Sequence, residues 1–274
     1  MDVGSYLITG GVTLLATLSG VFVANLSQNK RLRAQLAHER EMKNREREMS
    51  LRKDVYLAGA EAVYAGLLAV NRFANLETPH EKVIEGYLDK APSLAKVHII
   101  AKEETVKALV AFSAALDTLF VRLFARRGPL VSEKQKIDAL VTQADITDKE
   151  NSRTLELIKQ YNLEGLTDQN RRDWLQRNFD FEQKQSKAAR QEAASLAVTL
   201  YLKQLQLMED CTDEKNKLVR LLIPVVFSIR KELELSIDEV EYRRVLDAAA
   251  SEQLKIFKEY LQEQRAACAE VLSS

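Results

Sequence analysis

The sequence predicts an all-α protein in which an N-terminal transmembrane helix continues into a charged stalk helix and then a multi-helix bundle with long helices. Three observations predict this class. An uncharged, mostly apolar run comes first, only four Pro and nine Gly occur in 274 residues, and apolar side chains recur at steps of three and four. The predicted segments are a membrane anchor over 1–27, a stalk over 28–53 and a cytoplasmic bundle over 54–274.

The predicted anchor is the run from Ser5 to Leu26, which contains no ionised side chain. At the rise of an α-helix, its roughly 22 residues span about 33 Å, which is close to the thickness of a bilayer's hydrocarbon core. We therefore expect a single membrane-spanning helix, and membrane lipid is a predicted partner.

Basic residues after the anchor set its predicted orientation. The first of them are Lys30, Arg31 and Arg33, and only Asp2 and the terminal amine carry charge before the run. Because cytoplasmic flanks carry the excess of Lys and Arg, the N-terminus is expected outside and the C-terminal domain in the cytoplasm, at the inner membrane. A cleaved signal peptide is the alternative, but Asp2 stands where such peptides carry positive charge.

Small side chains share one face of the anchor. This face contains Thr9, Thr13, Ala16, Gly20 and Ala24, and the last three form consecutive small-x-x-x-small steps. Such steps let two helix backbones approach closely, so the face predicts a homo-oligomer or pairing with another membrane helix. The simpler interpretation is that Gly and Ala are common in membrane spans.

The stalk between residues 28 and 53 contains no Pro or Gly. Three acid-to-base pairs at a spacing of four can hold such a helix in solvent: Glu39 with Lys43, Glu41 with Arg45, and Glu48 with Arg52. A lone charged helix about 35 Å long is expected. A short parallel coiled coil is the alternative, because Met42 and Met49 lie one heptad apart.

Past residue 53, an apolar stripe predicts that the folded bundle begins. Its members recur at threes and fours: Tyr56, Ala60, Val63, Leu67, Val70 and Ala74. A short helix is then expected to start at Thr78, Pro79 and Glu81, and to be interrupted at Ala91 and Pro92.

The next predicted helix runs to about Arg127 and stops at Gly128 and Pro129. Its expected buried side contains Val106, Leu109, Phe112, Leu116, Phe120 and Leu123. Ser132 is expected to open another helix, and the polar stretch 145–153 is either a loop or a bend. Gly165 is expected to end this part of the chain.

The C-terminal third is predicted to contain three more helices. Thr167 is expected to cap a long helix that begins with Trp174, Leu175 and Phe179, and Trp174 and Phe179 are expected to be core residues rather than a platform for stacking bases. The polar middle of this helix, 182–192, is expected to be exposed or to project. An acidic turn around Cys211 and Asp213 precedes a core helix kinked at Pro224, and Ser236 with Glu239 is expected to cap the last helix.

The first 125 residues or so resemble a loose group of bacterial single-pass membrane-anchored helical proteins, largely of unknown function. The resemblance rests on the anchor, the Arg/Glu-rich helix, Val55 with Tyr56, and Ile99 with Ile100 and Val106. It implies an anchor plus a helical bundle, and it carries no catalytic residue to this chain.

Most motifs that would indicate chemistry are missing from the sequence. The three histidines, His38, His80 and His98, are not part of a zinc-binding pattern, and no cofactor is expected. Glu77 and His80 form one Glu-x-x-His, but di-iron bundles use two copies on helices, so a helix-capping turn is expected there. Gly59 and Gly66 are expected to allow close helix packing.

Clusters of charge are interpreted as structural. Two acidic clusters are expected at helix starts, where the helix dipole favours them: Asp210 with Asp213 and Glu214, and Asp238 with Glu239 and Glu241. Three basic doublets are dispersed along a slightly acidic domain, so nucleic acid is not an expected partner: Arg126 with Arg127, Arg171 with Arg172, and Arg243 with Arg244. Cys211 and Cys268 are far apart and suit a reducing cytosol, although export would allow a disulfide between them.

Three classes of function are consistent with the sequence. The leading one is a non-enzymatic interaction or scaffold module that binds an unknown protein partner through an exposed helix face. The alternative is a membrane-anchored sensor or effector whose bundle changes its packing on a signal, with Pro224 and the segment 182–192 as moving parts. The third is a membrane-bound enzyme whose site does not show in the order of the sequence.

Overall fold

A computed structural model describes the backbone of residues 3–273 and the side chains of residues 31–270. In this part of the chain every regular element is helical and no strand occurs, so the all-α prediction is confirmed. The α-helices are α1 (Val3–Arg72), α2 (Glu85–Leu88), α3 (Pro92–Ile100), α4 (Glu103–Leu163), α5 (Gln169–Glu232) and α6 (Glu239–Ser273), with a 3₁₀ turn at His80–Lys82.

The chain divides into two compact units, Met1–Val55 and Tyr56–Ser274. In the first unit the described side chains lie on α1 and are mostly exposed, including Arg31 and Arg33. Arg52 Nη2 lies 2.8 Å from Glu48 Oε1, so this predicted pair forms. The predicted anchor face and the first basic residue lie outside the described side chains: Thr9, Thr13, Ala16, Gly20, Ala24 and Lys30.

The core of the second unit forms where the C-terminal part of α1 packs against α3 and α4. The stripe predicted on α1 is buried except for Ala60, and the stripe predicted on α4 is buried except for the half-buried Val106. Phe73 extends the core after the end of α1, because its ring lies 5.7 Å from that of Phe120 and 4.7 Å from that of Phe124. These two stripes are therefore the halves of one hydrophobic core.

Helix α4 contains a stretch that is apolar and long enough to span a membrane, the only one within the described residues. The inward side of this stretch is occupied by core residues, among them Leu109, Phe112 and Leu116, each at most 2% exposed. Such a stretch is therefore also what the central helix of a bundle requires.

Two glycines bring helices together, as predicted. A Cβ atom added to Gly59 would lie 2.6 Å from Val97 Cγ2 of α3, and one added to Gly66 would lie 2.6 Å from Leu116 Cδ2 of α4. Both distances are shorter than a normal carbon–carbon contact, so the close approach of the helices depends on the absence of a side chain at Gly59 and Gly66.

Replacing Gly66 with alanine is expected to lower the free energy of unfolding by about 1–3 kcal/mol, because the new methyl group overpacks the core against Leu116 and Tyr87. The control is Gly128→Ala, since apart from its chain neighbours no atom lies within 4 Å of the added Cβ there. Helix propensity favours this change by about 0.5–1 kcal/mol, but a Cβ on the residue before Pro129 opposes it, so stability should change by less than about 0.5 kcal/mol. Chemical denaturation followed by circular dichroism measures both, and a loss for Gly66→Ala no larger than that for Gly128→Ala would contradict close packing at Gly66.

Several predicted helix ends do not exist. Helix α4 passes through Gly128, Pro129 and the polar stretch 145–153, and α5 passes through Cys211 and Asp213 without an acidic turn. A proline inside a helix costs about 3 kcal/mol, but Arg127 and Leu130 on either side of Pro129 are buried. Packing on both sides therefore holds the helix through the position where the local signal predicts a stop.

Other predicted boundaries are shifted. A break at Ala101 and Lys102 separates α3 from α4, where one helix was predicted. The short helix near Thr78 is a single 3₁₀ turn without a side-chain cap, and Pro92 begins α3. Asp168, not Thr167, caps α5, and Asp238, not Ser236, accepts a backbone hydrogen bond at the start of α6. The predicted end at Gly165 is correct, since its φ is +68°.

Candidate interaction surface

Helices α4 and α5 form a long antiparallel hairpin, and α6 runs back along only part of it. The Tyr242 ring of α6 lies 5.5 Å from that of Phe227, and Tyr201 Oη at the other end donates to Gln264 Oε1 at 2.8 Å. From this register, α6 ends opposite residue 193 or so of α5. The hairpin beyond that point, residues 138–163 of α4 and 169–193 of α5, is a two-helix arm about 39 Å long.

The contact between the two helices of the arm consists largely of small and polar side chains. Its buried members are Ala144, Thr154, Tyr161, Leu175, Ser186, Ala189 and Ala193. Thr154 Oγ1 donates to Glu182 Oε2 at 3.1 Å, and Tyr161 Oη donates to the Asp168 carbonyl at 2.6 Å. The predicted exposure of 182–192 is therefore only partly correct, because one side of this segment packs against α4.

Ion pairs join the outer edges of the arm. Arg190 Nη2 lies 2.8 Å from Asp145 Oδ1 and 2.7 Å from Asp148 Oδ2. Hydrogen bonds from the Ser186 hydroxyl and from Arg190 lower the pKa of the Asp148 carboxyl. Asp145 and Asp148 belong to the stretch predicted as a loop or bend, so this polar stretch is where α4 pairs with the polar middle of α5.

The tip of the arm exposes large apolar side chains. Leu163 at the end of α4 is 88% exposed and Leu166 in the connection is 47% exposed. On α5, Trp174 is 56% exposed and Phe181 60% exposed. Because Trp174 and Phe181 are seven residues apart, they lie on one side of the helix, about 10 Å from each other. We call these four residues the tip cluster.

Trp174 was predicted to be a core residue, and this prediction is wrong. The neighbouring Leu175 is buried instead, and Phe179 is half-buried. The buried face of α5 continues through Ser186 and Ala189. The face that packs against α4 is therefore not the face with the largest apolar side chains. The seven-residue spacing indicates only that Trp174 and Phe181 share a face, and the same spacing is typical of a buried stripe, so the sequence does not indicate their exposure.

The structure does not bring the predicted charge clusters together into a reactive site. Asp210, Asp213 and Glu214 lie in the middle of α5 rather than at a helix start, and Asp210 and Glu214 pair with Arg126 and Arg122 of α4. The second acidic cluster does lie at the start of α6, where Glu239 pairs with Arg243 and Glu241 with Arg244. Acidic partners therefore neutralise Arg126 in the first basic doublet and both arginines of the doublet Arg243 and Arg244.

The Glu-x-x-His sequence is divided between two structural contacts. Glu77 Oε2 lies 3.3 Å from Lys134 Nζ, and the His80 ring lies 4.3 Å from the ring of Phe124. Among the described residues, no group of three His, Cys, Asp or Glu is close enough to hold a metal ion.

A buried arginine of α4 that the sequence does not indicate lies against the end of α1. Arg127 is 1% exposed, and its guanidinium donates to the carbonyls of Phe73, Asn75 and Thr78 at 3.2, 3.0 and 2.6 Å. Burial lowers the pKa of this guanidinium. The sequence shows only a basic doublet, and nothing in it distinguishes Arg127 from the exposed Arg126.

A buried carboxylate was missed as well. Glu232, the last residue of α5, is 7% exposed and accepts hydrogen bonds from Tyr56 Oη at 2.6 Å, Thr105 Oγ1 at 2.6 Å and Lys102 N at 2.9 Å. Lys102 is the N-cap residue of α4. The Glu232 side chain therefore supplies the cap of α4 that the local sequence lacks, and negative charge is favourable there.

Cys211 and Cys268 are free thiols, so no disulfide joins them. Cys211 is 2% exposed and lines a cleft of about 320 Å³ between α5, α6 and the end of α1. Burial, with a smaller effect of Asp210, raises the pKa of its thiol to about 12. Cys268 on α6 is half-buried.

We expect a thiol reagent such as dithionitrobenzoate at pH 8 to modify Cys268 at least about 100-fold faster than Cys211. Only the thiolate reacts, and burial suppresses both the thiolate fraction and the access of the reagent to Cys211. The variants Cys211→Ser and Cys268→Ser assign the two rates. Equal rates in the folded chain would show that Cys211 is not enclosed as described.

Comparison with known proteins gives no relative from which a function can be transferred. No family model matches the chain, and no significant match was found among curated proteins or among solved structures.

Proposed function

We propose that this chain is a membrane-tethered helical interaction module that binds a partner protein through the tip cluster of its arm. The tether is the apolar run from residue 5 to residue 26, with the N-terminus outside and the bundle in the cytoplasm at the inner membrane. The uncharged composition of the run and the basic residues that follow it support this orientation.

The exposure of the tip cluster is the observation that carries the proposal. Single exposed apolar residues are normal on a protein surface, but aromatic side chains are enriched at the centres of interfaces. Here Leu163 and Leu166 lie at the end of a narrow two-helix arm, and Trp174 and Phe181 lie on α5 about 8 and 18 Å from its first residue. A convex end of this kind fits a concave apolar groove on another protein, as amphipathic helices do.

The proposal is tested with a photo-crosslinking amino acid placed at position 174 or 181 of the full-length chain in its native membrane. We expect the same partner protein to crosslink from both positions. Position 121 is the control, because Val121 is 70% exposed on α4 outside the arm. The double variant Trp174→Ala with Phe181→Ala should reduce recovery of that partner at least about tenfold, as expected for loss of two hot-spot residues.

Crosslinking from position 121 distinguishes specific binding at the tip cluster from random collision. A protein that crosslinks equally from positions 121 and 174 reflects collision, and it would exclude the tip as the binding site. A chain without Met1–Ser27 separates the tether from recognition. If this soluble chain still captures the partner, recognition lies in the bundle, and if capture is lost, the anchor takes part in it.

The packing of the arm also favours the alternative of a sensor whose helices change packing on a signal. Small and polar residues between α4 and α5 provide little apolar burial, and regions of that kind open at low free energy. Separation of α4 from α5 in the arm would break the hydrogen bond from Thr154 to Glu182, the first residue of the segment 182–192. A signal should then change protease cleavage in this segment and near Pro224, and unchanged cleavage over all tested conditions would exclude the switch.

Pairing through the anchor is a further part of the proposal. The small-residue face of Thr9, Thr13, Ala16, Gly20 and Ala24 would allow two tethered copies to associate within the membrane. Gly20→Ile should weaken self-association in a membrane two-hybrid assay, with Val21→Ile on another face as the control. Association that is unchanged in both variants would leave the face without a role.

A further inference from the structure

Helix α6 is held less tightly than the other long helices of its unit. Among its described side chains only Leu261 is buried, and the rest of its inward side is half-buried. Three clefts, of about 320, 370 and 330 Å³, lie along its contact with α5. Each cleft is open to the surface and interrupts the packing of α6 on α5, so we expect α6 to leave its groove at lower cost than α4 or α5 leaves the bundle.

The groove under α6 is nevertheless specific for this helix. Near the C-terminal end of α6, Arg265 Nη2 donates to Glu209 Oε2 at 2.7 Å and to Gln206 Oε1 at 3.1 Å. Near its start, the Tyr242 ring meets the Phe227 ring edge to face. A helix that occupies the groove must therefore present an aromatic residue and an arginine about 23 residues apart, which α6 of any copy of this chain does.

The connection to α6 is strained, and a second turn in the same molecule shows why. After α4, Leu166 N bonds to the Tyr161 carbonyl and Gly165 adopts a φ of +68°. After α5, Leu235 N bonds to the Arg230 carbonyl in the same pattern, but the residue in the left-handed conformation is Glu234, with a φ of +56°. Glycine adopts this conformation freely and glutamate does not, so opening the second turn releases strain.

We propose that α6 exchanges between two copies of this chain, so that each copy seats its α6 in the α5 groove of the other. Exchange preserves every contact that α6 makes within one chain, and strained hinge loops favour it. The hinge, residues 233–238, spans at most about 20 Å when extended, so the two bundles must lie side by side. The inference rests on the proposed tether for its local concentration, which two chains on one membrane raise.

The test uses two forms of the full-length chain that are co-expressed, with Cys211→Ser in both. One form carries Ala197→Cys and Cys268→Ser, and the other keeps Cys268, which lines the same cleft as Ala197. Neither form can be crosslinked within itself by a short bismaleimide. We expect a covalent dimer, because it forms when α6 of one copy lies on α5 of the other.

Three comparisons complete the test. A single chain with both cysteines, Ala197→Cys with native Cys268, confirms that the linker spans the groove. Ala188→Cys replaces Ala197→Cys as the position control, since Ala188 is exposed on the arm. Glu234→Gly in both forms relaxes the hinge and should reduce the dimer at least about threefold, whereas Gly165→Ala in the other turn should leave its yield unchanged.

The outcomes separate this inference from the proposed function. Intrachain crosslinking without a covalent dimer would overturn exchange, as would equal dimer yields from positions 188 and 197. An anchor-deleted pair that fails to crosslink while the full-length pair succeeds would confirm that exchange needs the tether. Partner capture at the tip cluster uses residues outside the groove, so either idea can fail without the other.

Discussion

Replacing Arg127 with methionine is expected to lower the free energy of unfolding by about 3–5 kcal/mol. Methionine fills much of the same space but donates no hydrogen bond, so the carbonyls of Phe73, Asn75 and Thr78 lose their shared donor inside the fold. The guanidinium also places a positive charge beside the carboxyl end of α1, which is favourable. Loss of Arg127 therefore affects both the end of α1 and the segment that leads to α2.

The adjacent arginine provides a matched control. The side chain of Arg126 is 59% exposed and pairs with Asp210, and an exposed ion pair contributes about 0–1 kcal/mol. Urea denaturation of the full-length chain, followed by circular dichroism, should therefore show a large loss for Arg127→Met and a small one for Arg126→Met. Losses of similar size would contradict the burial and the hydrogen bonds assigned to Arg127.

Replacing Glu232 with leucine has the second large expected effect, a loss of about 3–5 kcal/mol. The substitution leaves two buried hydroxyls, on Tyr56 and Thr105, and the Lys102 N–H without the acceptor that all three share. Glu232→Gln keeps one carbonyl oxygen for Lys102 and Thr105, so it should restore more than half of the lost stability. The three contacts come from α1, α4 and the residue before α4, so the loss should be global rather than local.

The control for Glu232 is the same substitution at an exposed glutamate. The side chain of Glu103 is 81% exposed in the first turn of α4, and Glu103→Leu should change stability by about 0.5 kcal/mol or less. Tyr56→Phe removes one of the three donors and should cost about 1 kcal/mol. Full stability of Glu232→Leu would show that water replaces the carboxylate and that the site is not enclosed.

The stripes on α1 and α4 could be predicted because packing decides those positions. Residues that recur at threes and fours on both helices meet in one core, and Gly59 and Gly66 are small because another helix crosses there. The end at Gly165 could be predicted for a similar reason, since its left-handed conformation favours glycine. In each case a local pattern and the tertiary contact require the same residue type.

The missed features are those where tertiary contacts override local signals. Pro129 and the polar stretch 145–153 resemble helix ends, but contacts with α5 on both sides of each position keep α4 continuous. The tip cluster could not be located because small residues such as Ala189 occupy the buried side of α5 while Trp174 does not. The partners of Arg127 and Glu232 are 49 or more residues away, so no local pattern indicates their burial.

Because small and polar side chains form the contact between α4 and α5, the arm can change in length while the residues at the bundle and at the tip stay the same. One heptad removed from each leg, for example 145–151 and 185–191, shortens the hairpin by about 10 Å and keeps the same helix faces opposed. No large core side chain is lost in such a paired deletion. Insertion or deletion of one heptad in each helix would therefore change the distance between the bundle and the tip cluster by about 10 Å.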